Sequence, residues 1–130
     1  MDGKRGDVDR ISSELVDVRG QQAFVEVFRR EIKGAGRGQL VITADVFGGS
    51  AFLDQFLAVE VQTIGYLGST PTVLARAALS RTHNQQRVEF SEEDSFDVIA
   101  VEARQIVNGA PSGATTPQRV AVGVQGRFWR

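Results

Sequence analysis

Short runs in which apolar and polar residues alternate, separated by turn-forming residues, constrain the fold of this chain most. The clearest runs are 39–46 and 118–128, and shorter ones lie at 14–19, 59–66 and 87–91. A period of two places successive side chains on opposite faces of a β-strand. Seven or eight such strands predict a mostly β domain, built as an antiparallel sandwich or a small barrel.

Turn-forming segments indicate how these strands connect. The glycine-rich segment 34–38 predicts a hairpin that joins residues 23–33 to the strand that begins at residue 39. Ten residues rich in Gly, Pro, Ser and Thr separate 97–107 from 118–128, two alternating runs of matched length. We therefore expect a second, longer hairpin there and a fold built mainly from sequential hairpins.

Three segments also fit a helix, which leaves an α+β fold as the alternative. In 23–33, Phe24, Phe28 and Ile32 recur at helical spacing, and a similar spacing occurs in 96–107. Residues 70–82 begin with Thr-Pro, a common helix start, and contain three alanines. The preferred interpretation of all three is a strand, and the last would pair with the run before it across the turn at 68–71.

Composition excludes several classes of protein. The 130 residues contain no cysteine, which rules out disulfides, thiolate metal sites and cysteine nucleophiles. Fifteen basic and sixteen acidic residues nearly cancel, so no overall field steers the chain to nucleic acid or to a membrane. We expect one domain at 11–130 after a flexible arm at 1–10, which lacks the apolar core of a secretory signal. Synthesis in the cytoplasm, with possible incorporation into a virion, is the expected localisation.

The sequence contains no recognisable catalytic or cofactor-binding motif. His83 is the only histidine, and its polar neighbours predict an exposed turn. The acidic run 92–94 lacks the ligand spacing of a calcium-binding loop. We therefore expect no catalytic residue, no metal site and no cofactor.

Charge is distributed unevenly along the second half of the chain. The acidic run is followed, from Arg104 onward, by four arginines without any acid. Complementary patches of this kind suit contacts between subunits. The aromatic pair near the C-terminus either closes the chain's own core or anchors in a neighbour. The candidate subunit contacts are Arg5, Glu92, Glu93, Asp94, Arg127, Phe128 and Trp129.

These observations favour a non-catalytic, self-assembling structural protein, with further copies or other structural subunits as partners. A bacteriophage component such as a capsid decoration, head-completion or tail subunit is the specific expectation. One alternative is an up-and-down barrel that binds a small apolar ligand among its phenylalanines. The other alternative is a small enzyme that depends on carboxylates such as Glu92, Glu93 and Asp97.

Overall fold

The computed structural model describes residues 8–32, 37–46, 56–91, 94–116 and 119–129. These residues form ten strands and no α-helix: β1 (Val8–Ser12), β2 (Val16–Asp17), β3 (Val25–Glu31), β4 (Arg37–Val46), β5 (Leu57–Leu67), β6 (Thr70–Leu79), β7 (Gln85–Phe90), β8 (Val98–Val107), β9 (Ala110–Pro111) and β10 (Val120–Trp129). The mostly β prediction is confirmed. The α+β alternative is wrong, because β3, β6 and β8 occupy the three segments that fitted a helix.

The strands form two antiparallel sheets that pack face to face as a sandwich. In sheet A the order is β1, β10, β4, β7, and β2 continues the edge beside β10. In sheet B the order is β3, β8, β5, β6, and β9 continues the edge beside β8. Among the described strands neither sheet closes on itself, so the barrel alternative is wrong. The expected arm at 1–10 is described only from Val8, and Val8–Arg10 already pair with β10.

Strand pairing is nested, with the first strand against the last. β1 pairs with β10, β3 with β8, β4 with β7, and β5 with β6. This double wrapping of one long antiparallel ribbon into two sheets is the jelly-roll arrangement. The hairpin of β5 and β6 across the turn at 68–69 is confirmed.

The two other predicted hairpins are wrong. β3 and β4 lie in different sheets, and so do β8 and β10. Each connection therefore crosses the sandwich from one sheet to the other and does not fold back beside its own strand. Similar length and turn chemistry fit both kinds of connection, so local sequence did not distinguish them.

A β-bulge in β3 and the burial of both faces of β8 explain the helix-like spacing in these two strands, and a second bulge lies in β6. In β3 the register with β8 shifts between Glu26 and Phe28, so the buried positions are no longer two apart. In β6 a register shift leaves Leu74 without a partner on β5. In β8 both faces are covered, since Ile99 and Ala100 are each fully buried. Strands buried on both faces lose the alternation that identifies them.

The core fills the space between the inner faces of the sheets. Its fully buried members are mainly β-branched: Leu40, Ile42, Val59, Val61, Ile99, Val101, Val120, Val122 and Val124. Near one end of sheet A, the rings of Phe90 and Phe128 lie 6.0 Å apart with a tilt of 41°. Gly38 is the cross-strand partner of both phenylalanines, and the rings occupy the space that a Cβ would need. Glycine at this position therefore permits the aromatic pair that closes the core.

One buried amide ties the crossing connections to sheet B. Gln105 on β8 has no exposed surface, and its Nε2 donates to the carbonyl oxygens of Ser112 and Ala114, each at 2.9 Å. Its Oε1 accepts a hydrogen bond from the backbone N–H of Gly20 at 3.1 Å. Both amide hydrogens and the carbonyl oxygen are thus satisfied, as burial requires. This side chain joins the β2–β3 and β9–β10 connections, which lie far apart in sequence.

We predict that Gly38→Ala destabilises the domain by about 1–3 kcal/mol, because the new methyl group overlaps the Phe90 ring. Gly113→Ala is the matched control, since the nearest atom to its new Cβ lies 3.5 Å away. Urea unfolding followed by circular dichroism measures both variants. Equal unfolding midpoints would contradict the proposed role of Gly38.

Gln105→Leu is expected to cost about 1–3 kcal/mol, because three backbone groups lose their partner in a site that water reaches poorly. Gln85→Leu is the control: this side chain is exposed and has only a 3.5 Å contact with Thr43. Thermal unfolding compares the two. A Gln105→Leu variant with the unfolding temperature of the parent would show that the two connections do not depend on this amide.

Candidate functional site

The outer face of sheet B carries charges that are neutralised within the chain. Arg104 Nε donates to Glu60 Oε1 at 2.7 Å, and the two residues lie opposite each other on β8 and β5. Arg76 Nη2 donates to Gln62 Oε1 at 2.7 Å, and Gln62 Nε2 donates to Glu102 Oε1 at 2.6 Å. The side chains of Glu60 and Arg104 are each at least three-quarters buried. This network leaves little free charge for a partner on sheet B.

Aromatic rings complete the cover over sheet B. The Phe24 ring lies 4.1 Å from the Arg104 guanidinium and 6.0 Å from that of Arg76. At the other end of the face, Arg29 lies 5.3 Å from the ring of Tyr66. Such contacts hold a guanidinium flat against the protein.

One end of the outer face of sheet A is also charge-paired. Arg119 Nη1 lies 3.0 Å from Asp45 Oδ2, and Arg19 Nη2 lies 2.9 Å from Asp17 Oδ2. Burial raises the pKa of Asp17, but hydrogen bonds from Arg19 and the charges of Arg19 and Arg119 outweigh burial and lower this pKa. The Asp17 carboxylate therefore remains charged near neutral pH.

The middle of this outer face carries three arginines that we call the arginine face: Arg10, Arg87 and Arg127. Arg10 on β1 lies directly opposite Arg127 on β10. Arg87 on β7 lies across from β4, at the opposite edge of the same sheet. All three are exposed, and none has an ion-pair partner among the described residues. Like charges directly opposite each other on paired strands destabilise a sheet.

The three arginines surround an open hollow of about 430 Å³. Its floor is neutral and partly polar, and it is lined by Ser12, Gln39, Val41, Gln125 and Gly126 together with Ile11 and the arginines. Guanidinium groups present fixed forks of N–H donors that match carboxylate or phosphate oxygens. The arrangement can therefore bind an anionic group.

The structure separates the candidate contact residues that the sequence singled out. Arg127 belongs to the arginine face. Phe128 is 3% exposed and lies in the chain's own core, while Trp129 is half-buried at the end of the outer face, with Arg37 5.2 Å from its ring. Asp94 is exposed, and its Oδ2 accepts a hydrogen bond from the backbone N–H of Ser91 at 2.8 Å. The remaining candidates, Arg5, Glu92 and Glu93, lie outside the described residues.

Sequence reasoning missed Arg10 and Arg87, which complete the arginine face. They lie 77 positions apart in sequence and meet Arg127 only through the pairing of β1, β10, β4 and β7. The signal available beforehand was the excess of arginine after residue 104. That signal identified Arg127 alone.

The described residues contain no group of three or more histidine, cysteine or carboxylate side chains arranged to hold a metal ion. His83 lies in the exposed connection between β6 and β7, where its Nδ1 is 3.3 Å from the hydroxyl of Thr82. Within the same residues, no helix has the length and apolar character needed to cross a bilayer. The described phenylalanines among those expected to line a ligand cavity are dispersed: Phe28 and Phe90 are buried in the core, Phe24 lies on sheet B, and Phe56 is 60% exposed. Phe47 and Phe52, which belonged to the same expectation, lie outside the described residues.

No protein-family model matches the sequence, and a search of curated proteins finds no match either. Solved structures do share the fold. A protein of the Bacillus endospore appendages, described as disulfide-linked pili, is 11% identical with a TM-score of 0.50; the match covers 95% of this chain and 87% of that one. The VP2 subviral particle of infectious bursal disease virus is 14% identical with a TM-score of 0.53, over 100% of this chain. This chain spans about a third of the viral protein, 34% of its length.

We predict that Arg10→Glu stabilises the isolated domain by about 0.5 kcal/mol at low salt, because it replaces a facing pair of like charges with an ion pair to Arg127. The gain should shrink as salt rises. Arg81→Glu makes the same change of charge in an exposed turn and serves as the control. Chemical unfolding at two salt concentrations measures both. Identical, salt-independent stabilities would show that Arg10 and Arg127 do not repel each other.

Proposed function

We propose that this protein is a non-catalytic structural subunit that assembles with further copies of itself. The observation that carries the proposal is the contrast between the two outer faces. Glu60 and Arg104 of sheet B are paired within the chain, whereas the three arginines of the arginine face on sheet A form no ion pair with a described residue. The carboxylate nearest to them in the strand register, Glu89, accepts a hydrogen bond from Gln39. A near-neutral chain that leaves one face unneutralised is suited to association through that face.

A component of a bacteriophage particle, such as a capsid decoration, head-completion or tail subunit, is the specific role that we propose. Jelly rolls are common among proteins of viral capsids. The likeness to the infectious bursal disease virus particle supports this role at the level of the fold. The jelly roll of this chain would form one block of such a particle.

A filament subunit is the second candidate, and a separate observation favours it. The match to the endospore appendage protein spans nearly the whole of both chains. Those appendages are described as disulfide-linked, and the 130 residues of this chain contain no cysteine. A filament of this protein would therefore depend on non-covalent contacts between copies.

Purified protein at micromolar concentration is expected to sediment as species larger than the 14.1 kDa chain. Analytical ultracentrifugation measures the mass, and negative-stain electron microscopy distinguishes closed particles from filaments. Mass that grows with protein concentration would support assembly. A monomer at every concentration, which also fails to bind a larger particle from its source, would contradict the proposal.

The two ends of the chain are tested with different kinds of variant. Truncation suits the N-terminal end only, because β10 at the other end contributes to the core. Removal of residues 1–7 leaves β1 intact and is expected to reduce assembly without lowering the unfolding temperature. Trp129→Ser tests the half-buried ring while leaving Phe128 in place. Sizing and circular dichroism of both variants show whether assembly can be lost while the fold is kept. Loss of assembly together with loss of the fold would contradict a contact role for these segments.

A further inference from the structure

We infer that β6, at the edge of sheet B, pairs with β6 of a second copy in an antiparallel ladder that joins the two B sheets into one. The inference rests on the proposed function, because it names a surface, separate from the arginine face, through which copies associate. An edge strand presents backbone N–H and C=O groups without partners, and a strand of another chain can satisfy them.

The edges of the two described sheets differ in how they are protected from such pairing. β1 has five residues, β7 has six and β3 has seven, and each of these edge strands contains at least two charged residues. Short length and charged side chains oppose pairing with another chain. β6 has ten residues, and Arg76 is the one charged residue among them. Among the described strands, β6 is therefore the least protected edge.

The side chain of Arg76 does not guard this edge, because it lies over the sheet. Its Nη2 donates to Oε1 of Gln62, on the neighbouring strand β5, at 2.7 Å. Its guanidinium also lies 6.0 Å from the ring of Phe24, which precedes β3 at the opposite edge of the same sheet. The remaining side chains of β6 are uncharged, and Val73 and Ala78 are exposed. The edge thus offers small or apolar side chains to an incoming strand.

Two features confine the pairing to the second half of β6. Pro71 has no N–H to donate, and the register shift leaves Leu74 without a partner on β5. From Ala75 to Leu79 the register with β5 is continuous over five residues. This segment, 75–79, is therefore the regular part of the edge on which a second strand can form a ladder.

A two-fold axis at Ala77 makes the segment 75–79 complementary to itself. In the resulting antiparallel register Ala77 lies opposite Ala77 of the second copy, Arg76 lies opposite Ala78, and Ala75 lies opposite Leu79. No charged residue then faces another across the contact, and the small alanines at the axis allow the strands to approach closely. Such a contact is isologous and closes at two copies. It leaves the arginine face, on sheet A, free for further association.

The sign of a charge placed at position 78 tests this register. Ala78→Lys puts an ammonium group opposite Arg76 of the second copy and is expected to raise the dissociation constant about tenfold, because two like-charged pairs now meet. Ala78→Glu puts a carboxylate there and is expected to lower the constant. Within one copy, position 78 faces Glu60 on β5, so the lysine is not expected to destabilise the fold. Gln85→Lys adds the same charge to the exposed edge of β7 and is the control.

Ultracentrifugation measures the dissociation constant, circular dichroism verifies the fold of each variant, and hydrogen exchange measures the protection of the amides at 75–79. Weaker association with lysine, tighter association with glutamate, and protection that rises with the concentration of the parent protein would support the inference. Three outcomes would overturn it: association that neither charge changes, the same effect from both charges, and exchange at 75–79 that does not depend on concentration. In each of these outcomes the parent protein still associates, so the proposed function stands. A parent that remains monomeric contradicts the proposed function as well.

Discussion

The antiparallel ladder between β1 and β10 joins the first described strand to the last, and the other pairs are nested inside it. Among the nested pairs only the hairpin of β5 and β6 forms between strands that are neighbours in sequence, and each nested pair outside it encloses a longer loop of chain. The entropy cost of closing these long loops must be met before the strand contacts contribute favourable free energy, so the sandwich forms as a cooperative whole. Gln105 contributes to the same closure, because its amide joins two crossing connections to the central strand of sheet B.

The strands themselves were predictable wherever one face of a strand is buried and the other is exposed to solvent, as along β4 and β10. The predictions weakened where that condition fails. A bulge near Val27 breaks the period of β3, and both faces of β8 are buried, since neither Ile99 nor Ala100 has exposed surface. Pairing partners were not predictable, because a glycine-rich segment such as 34–38 suits a crossing between sheets as well as a hairpin. Two of three predicted hairpins failed for that reason.

The candidate site was visible in the sequence only as an imbalance of charge. Arg127 was identified by that imbalance, but Arg10 and Arg87 join it through registers on three different strand pairs. Phe128 was identified in the sequence, but its aromatic character fitted either a core role or a contact role. The glycine beneath its ring, Gly38, comes from another strand, so only the folded chain shows that the ring is buried. Residue types thus indicated the chemistry, and strand order determined which groups share a face.

Nested pairing also gives the molecule a direction of mechanical weakness. Val8 lies opposite Trp129, so both ends of the described chain leave the sandwich on the same side. The hydrogen bonds of an antiparallel ladder run perpendicular to its strands. Tension between the two ends would therefore load these bonds one after another and peel β1 from β10. A force applied through connections at opposite ends of the sandwich acts along the strands, and many hydrogen bonds share it. The domain therefore resists a force applied to its loops far better than a force applied to its two chain ends.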